Sequence, residues 1–399
     1  MNIVVIGASN SAMHSNYVDA LKLRHKVNNL SSGRNPIHYY IKTLIENHNL
    51  LKACDLIIID HVVNDINFYL NKTKDLGVEY KTHIENFYSL ITHLNKPTIN
   101  ILFPILSIKN EDYSNRYRYF SELSESLGIT YLDLSRVKFN ENDFIDKYHI
   151  KRERSFTLGL YLLNTINIFL EYQKSDNHDH HDYFASNFYN LVTAKDICSE
   201  KVNEFKNSLL KLKYINGEYF NLIDTEINTI TKTDSENSII SFGYFNEKDQ
   251  LNCFEIKTKR NDNLIYTVNG KGYYHEMLDR YIPVENLSGI HPLSKKKSEQ
   301  LLMGRYVGED FQWSNKTYHP LNLVEILTYK NKKVPIKQKI KNKFHFNYDE
   351  IKELYEKTTS SETAALTMDE KKIIKKAYIK INEIEPRLSR KLRKIYNKN

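Results

Sequence analysis

The first 172 residues alternate between short apolar runs and amphipathic segments, and this alternation limits the possible fold more than any other feature. The runs at residues 3–6 and 56–60 are continuous and rich in Ile, which is typical of strands buried on both faces of a parallel sheet. Segments of helical periodicity separate these runs. The pattern predicts a doubly wound α/β sheet, in which ligands bind beyond the carboxyl ends of the strands.

The predicted elements of this region follow one another in a regular order. The predicted strands are residues 3–6, 56–60, 98–103 and 130–134, and the predicted helices are residues 17–23, 36–45, 80–94, 113–127 and 154–172. Pro36 stands in the first turn of its helix, where proline is favoured because its missing N–H has no partner there in any case.

The pattern changes after residue 172. A polar stretch at 175–182 is followed by a predicted helix at 194–213, and then by short predicted strands at 218–223, 238–245, 251–258 and 263–268. Asn269-Gly270 after the last of these strands has the form of a two-residue hairpin turn. We therefore divide the chain into an α/β domain (1–174), a linker with a connecting helix (175–213), a mostly antiparallel β domain (214–330) and a basic helical tail (331–399).

The first candidate for chemistry is Ser9, in Gly7-Ala8-Ser9-Asn10-Ser11 directly after the first strand. A serine at a strand-to-helix turn presents its hydroxyl at the carboxyl edge of the sheet, where backbone N–H groups favour a developing oxyanion. Ser9 could instead only cap the helix that follows. A dinucleotide-binding loop is a further alternative, although Ser9 and Ala12 stand where its later glycines would be.

Two more candidates follow later strands. Asn64, after the strand at 56–60, could donate a hydrogen bond across the strand ends, although Asn-Asp is also a common turn. Asp146 stands three residues before His149, in the loop after the last strand. A carboxylate at this spacing can hold the imidazole Nδ1–H and leave Nε2 free to accept a proton from a serine. A chance surface pair would show the same spacing.

Taken together and in this order, these residues resemble the motifs of the SGNH (GDSL-like) hydrolase and acyltransferase superfamily, over residues 1–172. Ser9 matches the block I serine, Gly33 the block II glycine and Asn64 the block III asparagine, and Asp146 with His149 matches the block V DxxH. The resemblance implies a flavodoxin-like three-layer α/β/α fold. It also implies that Ser9 attacks an ester carbonyl, His149 is the general base and then acid, and Asp146 orients it. The Ser9 and Gly33 amides with the Asn64 side chain would form the oxyanion hole.

Two positions depart from the family pattern. Ala8 replaces the aspartate of the usual Gly-Asp-Ser, and Val62 replaces the glycine of the usual Gly-x-Asn-Asp. Neither change removes a catalytic group, and Val62 could reshape the approach of the substrate.

Charge and composition limit the partners and the compartment. The net charge of +8 is concentrated in residues 330–399, which hold 20 Lys/Arg and 9 Asp/Glu, so we expect no nucleic-acid role for the whole protein. This tail could be a solvated helical surface, or it could bind a membrane surface or a partner protein. The three cysteines form no CxxC pair, and His178, His180 and His181 lie in the polar linker, so no metal site is predicted. The N-terminal residues lack a signal-peptide pattern, which predicts a cytoplasmic protein. A peripheral contact of the basic tail with a membrane is compatible with this location.

Three functions remain open at this point. The first is an esterase that acts on O-acetyl or other small acyl groups of a carbohydrate and needs no cofactor. The second is a polysaccharide O-acetyltransferase that uses acetyl-CoA with the same triad. The third is a non-catalytic scaffold that binds an anionic polysaccharide or a membrane-associated complex.

Overall fold

The computed structural model describes residues 1–70, 78–106, 111–137, 139–173, 183–193, 196, 210–212, 215–217, 220–222, 236–246, 252–260, 264–268, 272–292, 302–303, 321–336 and 344–359. The α-helices of these ranges are α1 (Ser9–Ala12), α2 (Tyr17–Leu21), α3 (Ile37–Glu46), α4 (His48–Ala53), α5 (Val62–Leu70), α6 (Val78–His93), α7 (Glu111–Ser126), α8 (Arg152–Gln173) and α9 (Tyr348–Thr359). The strands are β1 (Asn2–Gly7), β2 (Lys26–Asn29), β3 (Leu56–Asp60), β4 (Thr98–Leu102), β5 (Thr130–Asp133), β6 (Tyr189–Thr193), β7 (Leu210–Leu212), β8 (Ile215–Gly217), β9 (Phe220–Leu222), β10 (Ser238–Asn246), β11 (Asn252–Thr258), β12 (Leu264–Val268), β13 (Gly272–Pro283), β14 (Leu287–Pro292), β15 (Leu302–Met303) and β16 (Leu321–Tyr329).

The chain forms two compact units. The first comprises residues 1–34, 47–182 and 335–399, and the second comprises residues 35–46 and 183–334. Helix α3 therefore belongs to the second unit, although its sequence lies within the first 172 residues.

A five-stranded parallel sheet forms the centre of the first unit. Its strand order is β2-β1-β3-β4-β5, which is the flavodoxin-like order, so the predicted α/β fold is confirmed. The strands β1, β3 and β4 are almost wholly buried because their Ile, Val and Leu side chains are covered on both faces. Gly7, the last residue of β1, pairs with Asp60, the last residue of β3. This pairing places the carboxylate of Asp60 at the carboxyl edge of the sheet, close to the point where the chain continues to Ser9.

The helices of this unit form two groups, as expected for three layers. Helix α8 contacts α2 and α9, and α7 contacts α5 and α6. Gly159 lets α8 lie close to α2, since a Cβ there would be 2.5 Å from the carbonyl oxygen of Tyr17. Within the described ranges, none of the helices combines the length and the apolar composition that crossing a bilayer requires.

The second unit is mostly antiparallel β structure, as predicted. One sheet has the order β13-β10-β16-β6, with β9 paired to β16, and another has the order β14-β11-β12-β15. A single core joins the two sheets, with Phe242 of β10 packed on Phe254 of β11 at a ring distance of 5.7 Å. The described residues of this unit therefore bury their apolar side chains between two sheets.

Three predictions about local structure have different outcomes. Asn269 and Gly270 lie outside the described residues, but the strands on either side of them, β12 and β13, lie in different sheets. The predicted hairpin is therefore wrong, and β12 pairs with β11 instead. The predicted helix at 194–213 is wrong at its end, where β7 pairs with β8. Of the predicted tail, helix α9 is described, and residues 360–399 lie outside the described residues.

Candidate active site

Ser9 lies at the carboxyl edge of the parallel sheet, at the start of α1 and two residues after the end of β1. Ala8 occupies the N-cap position of α1, and Ser9 is the first helical residue. The Ser9 hydroxyl therefore does not cap the helix. Its Oγ lies 2.7 Å from Nε2 of His149, which is the geometry of a nucleophile beside its general base.

Asp146 holds the other side of the His149 ring. His149 Nδ1 lies 2.8 Å and 2.7 Å from the two carboxylate oxygens of Asp146. The Asp146 side chain is half exposed, and it also accepts hydrogen bonds from the backbone N–H groups of Tyr148 and His149. Partial burial alone would raise the pKa of Asp146. The hydrogen bonds from the Tyr148 amide and from His149 lower the pKa by more than burial raises it, so it lies below its ordinary value. The carboxylate is thus ionised where it faces the imidazole.

Backbone pairing and one ion pair hold the loop that carries His149. An antiparallel bridge joins Phe144 to Ile150, so the intervening residues form a tight turn. Before this turn, Asp143 binds the Arg154 guanidinium at 2.7 Å, and both side chains are largely buried. The Asn10 side chain donates a hydrogen bond of 3.2 Å to the carbonyl of Tyr148. This bond joins helix α1, which begins at Ser9, to the loop that carries His149.

Asp60 lies beneath the Ser9 loop and binds it from below. Its carboxylate accepts a 2.6 Å hydrogen bond from the N–H of Ala8, and further hydrogen bonds from the hydroxyls of Ser11 and Tyr17. Gly7 has to be a glycine because a Cβ at this position would overlap Asp60 Oδ1. Complete burial raises the pKa of Asp60 to about 7, and the hydrogen bonds from Ser11, Ala8 and Tyr17 offset only part of this.

Gly33 approaches Ser9 closely. A Cβ built on Gly33 would lie 3.3 Å from Cβ and 3.6 Å from Cα of Ser9. Ser32 just before it donates its N–H to the carbonyl of Gly7 at 2.9 Å, so this segment follows the end of β1. The structure thus brings the backbone of Gly33 beside Ser9, where a larger residue would have little room for its side chain.

Asn64 lies in the first turn of α5, directly after β3, and is 5% exposed. The next residue, Asp65, is fully buried and binds Nδ1 of His61 and the hydroxyl of Tyr80. The His61 ring in turn packs edge-on against Phe87, with a centroid distance of 5.1 Å. These contacts fix the start of α5 and so fix the backbone position of Asn64.

The two departures from the family pattern lie inside the protein. Ala8 and Val62 are both fully buried. Val62 therefore does not line the approach of a substrate, contrary to what its position in the motif suggested. Among the described residues, no group of three His, Cys, Asp or Glu is placed to hold a metal ion. His178, His180 and His181 lie outside the described residues.

The sequence did not single out the supporting residues of this site. For Asp60 a signal exists, because a lone carboxylate after three isoleucines at the end of a buried strand is unusual. Asp143, Arg154 and Tyr80 carry no local signal, because their partners come from other elements of the chain.

A scan against protein-family models and a search of curated proteins find no match. Similar solved structures include the acetyl xylan esterase AlAXEase (12% identity, 42% of this chain and 100% of that chain, TM-score 0.35). Others are the carbohydrate acetylesterase Est24 from Sinorhizobium meliloti (10% identity, 42% and 98%, TM-score 0.33) and the esterase EstA from Pseudoalteromonas sp. (14% identity, 43% and 98%, TM-score 0.35).

Proposed function

We propose that this protein is a serine esterase of the SGNH type, with Ser9 as nucleophile, His149 as general base and acid, and Asp146 as the residue that orients His149. One observation carries the proposal. A continuous chain of hydrogen bonds runs from Ser9 Oγ through His149 to Asp146, with separations of 2.7 Å at both ends of the imidazole. This chain can deliver a proton from the hydroxyl to Nε2 while the charge that forms on the ring faces a carboxylate.

In the first half-reaction, Ser9 Oγ attacks the ester carbonyl carbon as its proton moves to His149 Nε2. The carbonyl oxygen becomes an oxyanion, and the Ser9 and Gly33 amides with the Asn64 side chain are the donors that we assign to it. When the tetrahedral intermediate collapses, the bond to the alcohol oxygen breaks. His149 returns its proton to that oxygen, and the alcohol leaves an acyl group on Ser9.

In the second half-reaction, water takes the place of the alcohol. The oxygen of the water attacks the acyl carbon while His149 accepts a proton from the same water. The second tetrahedral intermediate then collapses, Ser9 Oγ regains the proton and the carboxylic acid is released. The cycle returns every group to its starting state and needs no cofactor.

For the substrate we propose an O-acetyl or other small acyl ester of a carbohydrate, which rests on the substrate range of the family that the motifs resemble. We propose no nucleic-acid partner. The basic tail at 330–399 is our candidate contact with a membrane surface or a partner protein. A cytoplasmic location is part of the same proposal.

The first test is turnover of p-nitrophenyl acetate by the wild type, Ser9→Ala and His149→Ala. Both substitutions should lower kcat by about 10³-fold or more, because each removes a group that acts in the transition state. Ser121→Ala is a matched control, because the exposed Ser121 hydroxyl lies in α7 and donates a hydrogen bond to the Arg118 carbonyl of the same helix. If Ser9→Ala and Ser121→Ala turn over the ester equally fast, the triad assignment fails and a non-catalytic scaffold gains support.

A second assay separates hydrolysis from transfer. Release of acetate from an acetylated glycan, with no mass gain when glycans are incubated with acetyl-CoA, supports the esterase. A gain of one acetyl group per acceptor, lost in Ser9→Ala, would instead assign the protein as an O-acetyltransferase with the same nucleophile.

A further inference from the structure

Helix α9 belongs to the first unit, although the residues of the second unit all precede it in the chain. It contacts α8, which begins directly after the loop that carries His149. Two side chains of α9, Ile351 and Tyr355, are buried, so one face of the helix is packed inside the unit. The contacts of α9 with the residues around the loop show what it holds in place.

Backbone hydrogen bonds close the loop that carries His149. At its base, the Lys151 N–H donates to the Asp143 carbonyl at 2.7 Å, next to the antiparallel bridge described above. Within the loop, the Ile145 N–H donates to the His149 carbonyl at 2.8 Å. The position of the imidazole therefore depends on where Asp143 and the start of α8 are held.

Arg154, in the first turn of α8, joins the base of this loop to α9. Its Nε donates to Oδ1 of Asp143 at 2.7 Å, and its Nη1 donates to the backbone carbonyl of Tyr355 at 2.7 Å. The guanidinium also lies over the Tyr355 ring, with Cζ 5.1 Å from the ring centroid. The planar fork of an arginine binds several acceptors in fixed directions, which a lysine ammonium does less rigidly. One side chain thus fixes Asp143 relative to α9.

Burial makes this junction costly to disrupt. The side chains of Arg154 and Asp143 are only 13% and 8% exposed. Removal of one partner from a buried ion pair is strongly destabilising, because the other charge loses its compensation. A second, aromatic contact runs parallel to the ion pair, since the Phe139 ring lies 5.5 Å from that of Tyr355 and 5.9 Å from that of Phe144. Helix α9 therefore reaches the base of the loop by two routes.

We propose that Arg154 is a positioning residue for the general base of the esterase site, and that α9 completes the binding site of its guanidinium. Held between Asp143 and the Tyr355 carbonyl, the guanidinium fixes the base of the loop. The loop in turn keeps His149 Nε2 at 2.7 Å from Ser9 Oγ. The inference rests on the function proposed above, because it takes His149 as the general base. It adds that a helix far beyond the sequence motifs is required for the geometry of the triad.

The test measures kcat and KM of p-nitrophenyl acetate hydrolysis by the full-length wild type, Arg154→Gln and Arg154→Lys. Arg154→Gln removes the guanidinium, so we expect kcat to fall about ten- to one-hundredfold with KM within about twofold of the wild type. The reason is that a displaced base slows proton transfer without removing a contact to the substrate. Arg154→Lys keeps a cation that can pair with Asp143 but lacks the fork, so its kcat should lie between those of Arg154→Gln and the wild type.

Two further variants distinguish the role of α9 from a general loss of stability. Tyr355→Leu removes the ring beneath the guanidinium and keeps the backbone carbonyl, so kcat should fall about three- to tenfold at unchanged KM. Arg136→Gln is the matched control. Arg136 also pairs with an aspartate, Asp133, at 3.4 Å and lies over a tyrosine ring of α9, that of Tyr348, at 5.4 Å, but these contacts lie outside the loop. Arg136→Gln should keep the wild-type kcat.

The outcomes are separable when the variants are compared at a temperature at which each is folded. If Ser9→Ala abolishes turnover while Arg154→Gln loses no more kcat than Arg136→Gln, the positioning role is overturned and the esterase stands. If Ser9→Ala has no effect, the esterase itself fails. A loss of kcat in Arg154→Gln without one in Tyr355→Leu overturns the part assigned to α9. Should Arg154→Gln not fold, Tyr355→Leu decides. A lower kcat at unchanged KM then supports the inference, and a wild-type kcat overturns it.

Discussion

The carboxylate of Asp60 accepts a hydrogen bond of 2.6 Å from the backbone N–H of Ala8, the residue directly before Ser9. The two residues belong to neighbouring strand ends, because Asp60 pairs with Gly7 in the register of β1 and β3. A buried acidic group therefore holds the backbone of the proposed nucleophile, and its titration should be visible in the stability of the protein.

We predict that the stabilisation provided by Asp60 falls as the pH rises. Burial raises the pKa of Asp60 to about 7, so between about pH 4 and pH 7 the folded state retains a proton that the unfolded state has lost. The contribution is complete below about pH 4 and is lost through about pH 7, and it amounts to on the order of 4 kcal/mol. The melting temperature of the wild type minus that of Asp60→Asn should therefore decrease over this range.

Asp55→Asn is the control for this experiment, because Asp55 is exposed and precedes the same strand. Glu325 also has a pKa raised to about 7 by burial, an effect that Lys42 only partly offsets, so Asp60→Asn should remove only part of the pH dependence of the wild type. A difference between the wild type and Asp60→Asn that stays constant with pH would contradict the prediction.

We predict that Asp146→Asn lowers kcat by about 10²- to 10⁴-fold with little change in KM, because an amide can present its NH₂ to the ring and favour the wrong tautomer of His149. The measurement is steady-state hydrolysis of p-nitrophenyl acetate. Asp133→Asn is a suitable control, since Asp133 caps the short helix after β5 and takes no part in the site. Equal kcat values in the two variants would remove Asp146 from the mechanism.

Two glycines should respond in opposite ways to replacement by alanine. Gly33→Ala brings a Cβ to 3.3 Å from Ser9 Cβ, so we expect about a tenfold loss of kcat with a small change in melting temperature. Gly128 has a φ of 67° and ends α7 in a Schellman motif, with the Ile129 N–H bound to the Ser124 carbonyl. Gly128→Ala should destabilise the fold by about 1 kcal/mol and leave kcat unchanged. Steady-state kinetics and urea titrations of both variants test this contrast, and a Gly33→Ala enzyme with wild-type kcat would contradict it.

We predict that Lys42 and Glu325 are strongly coupled in stability. Lys42→Met leaves the buried Glu325 carboxylate without the Lys42 ammonium, and Glu325→Gln leaves that buried ammonium with only the half-exposed carboxylate of Glu46, at 3.5 Å, so each should cost about 3–5 kcal/mol. The double variant should cost less than the sum of the two, because it leaves no buried charge at that pair. Urea unfolding of the four proteins measures the coupling, and additive effects would show that the pair is not coupled.

The sequence predicts the buried strands of the first unit but not the edge strand β2 of its sheet. Strand β3 has the bounds that the apolar run indicated, because a strand covered on both faces has a continuous apolar sequence. Strand β2, which contains Lys26 and two asparagines, is an edge strand of four residues that are not buried, so no apolar pattern marks it. The failed hairpin at Asn269-Gly270 has a related cause. A turn signal is local, whereas the partners of β12 and β13 are chosen by the packing of two sheets.

The active site could also be predicted only in part from the sequence. Ser9 and His149 are 140 residues apart, and only the order of the motifs along the strand ends suggested that they meet. Arg154 donates to the Tyr355 carbonyl across 201 residues, and nothing near it in the sequence indicates that contact. Chemistry that depends on a local motif could be predicted, whereas the residues that hold the motif in place required the three-dimensional structure.

The membership of α3 in the second unit bears on how this protein can be divided for expression. A polypeptide ending at residue 174 would contain Ile37–Glu46 but neither Tyr273 nor Glu325, with which Lys42 is paired. The helix would lose the rest of the unit to which it belongs, and Lys42 would keep only the half-exposed Glu46 carboxylate of its own helix, at 3.5 Å. Such a fragment is a candidate for inclusion bodies rather than a minimal enzyme, and soluble material should require residues 35–46 and 183–334 on the same polypeptide.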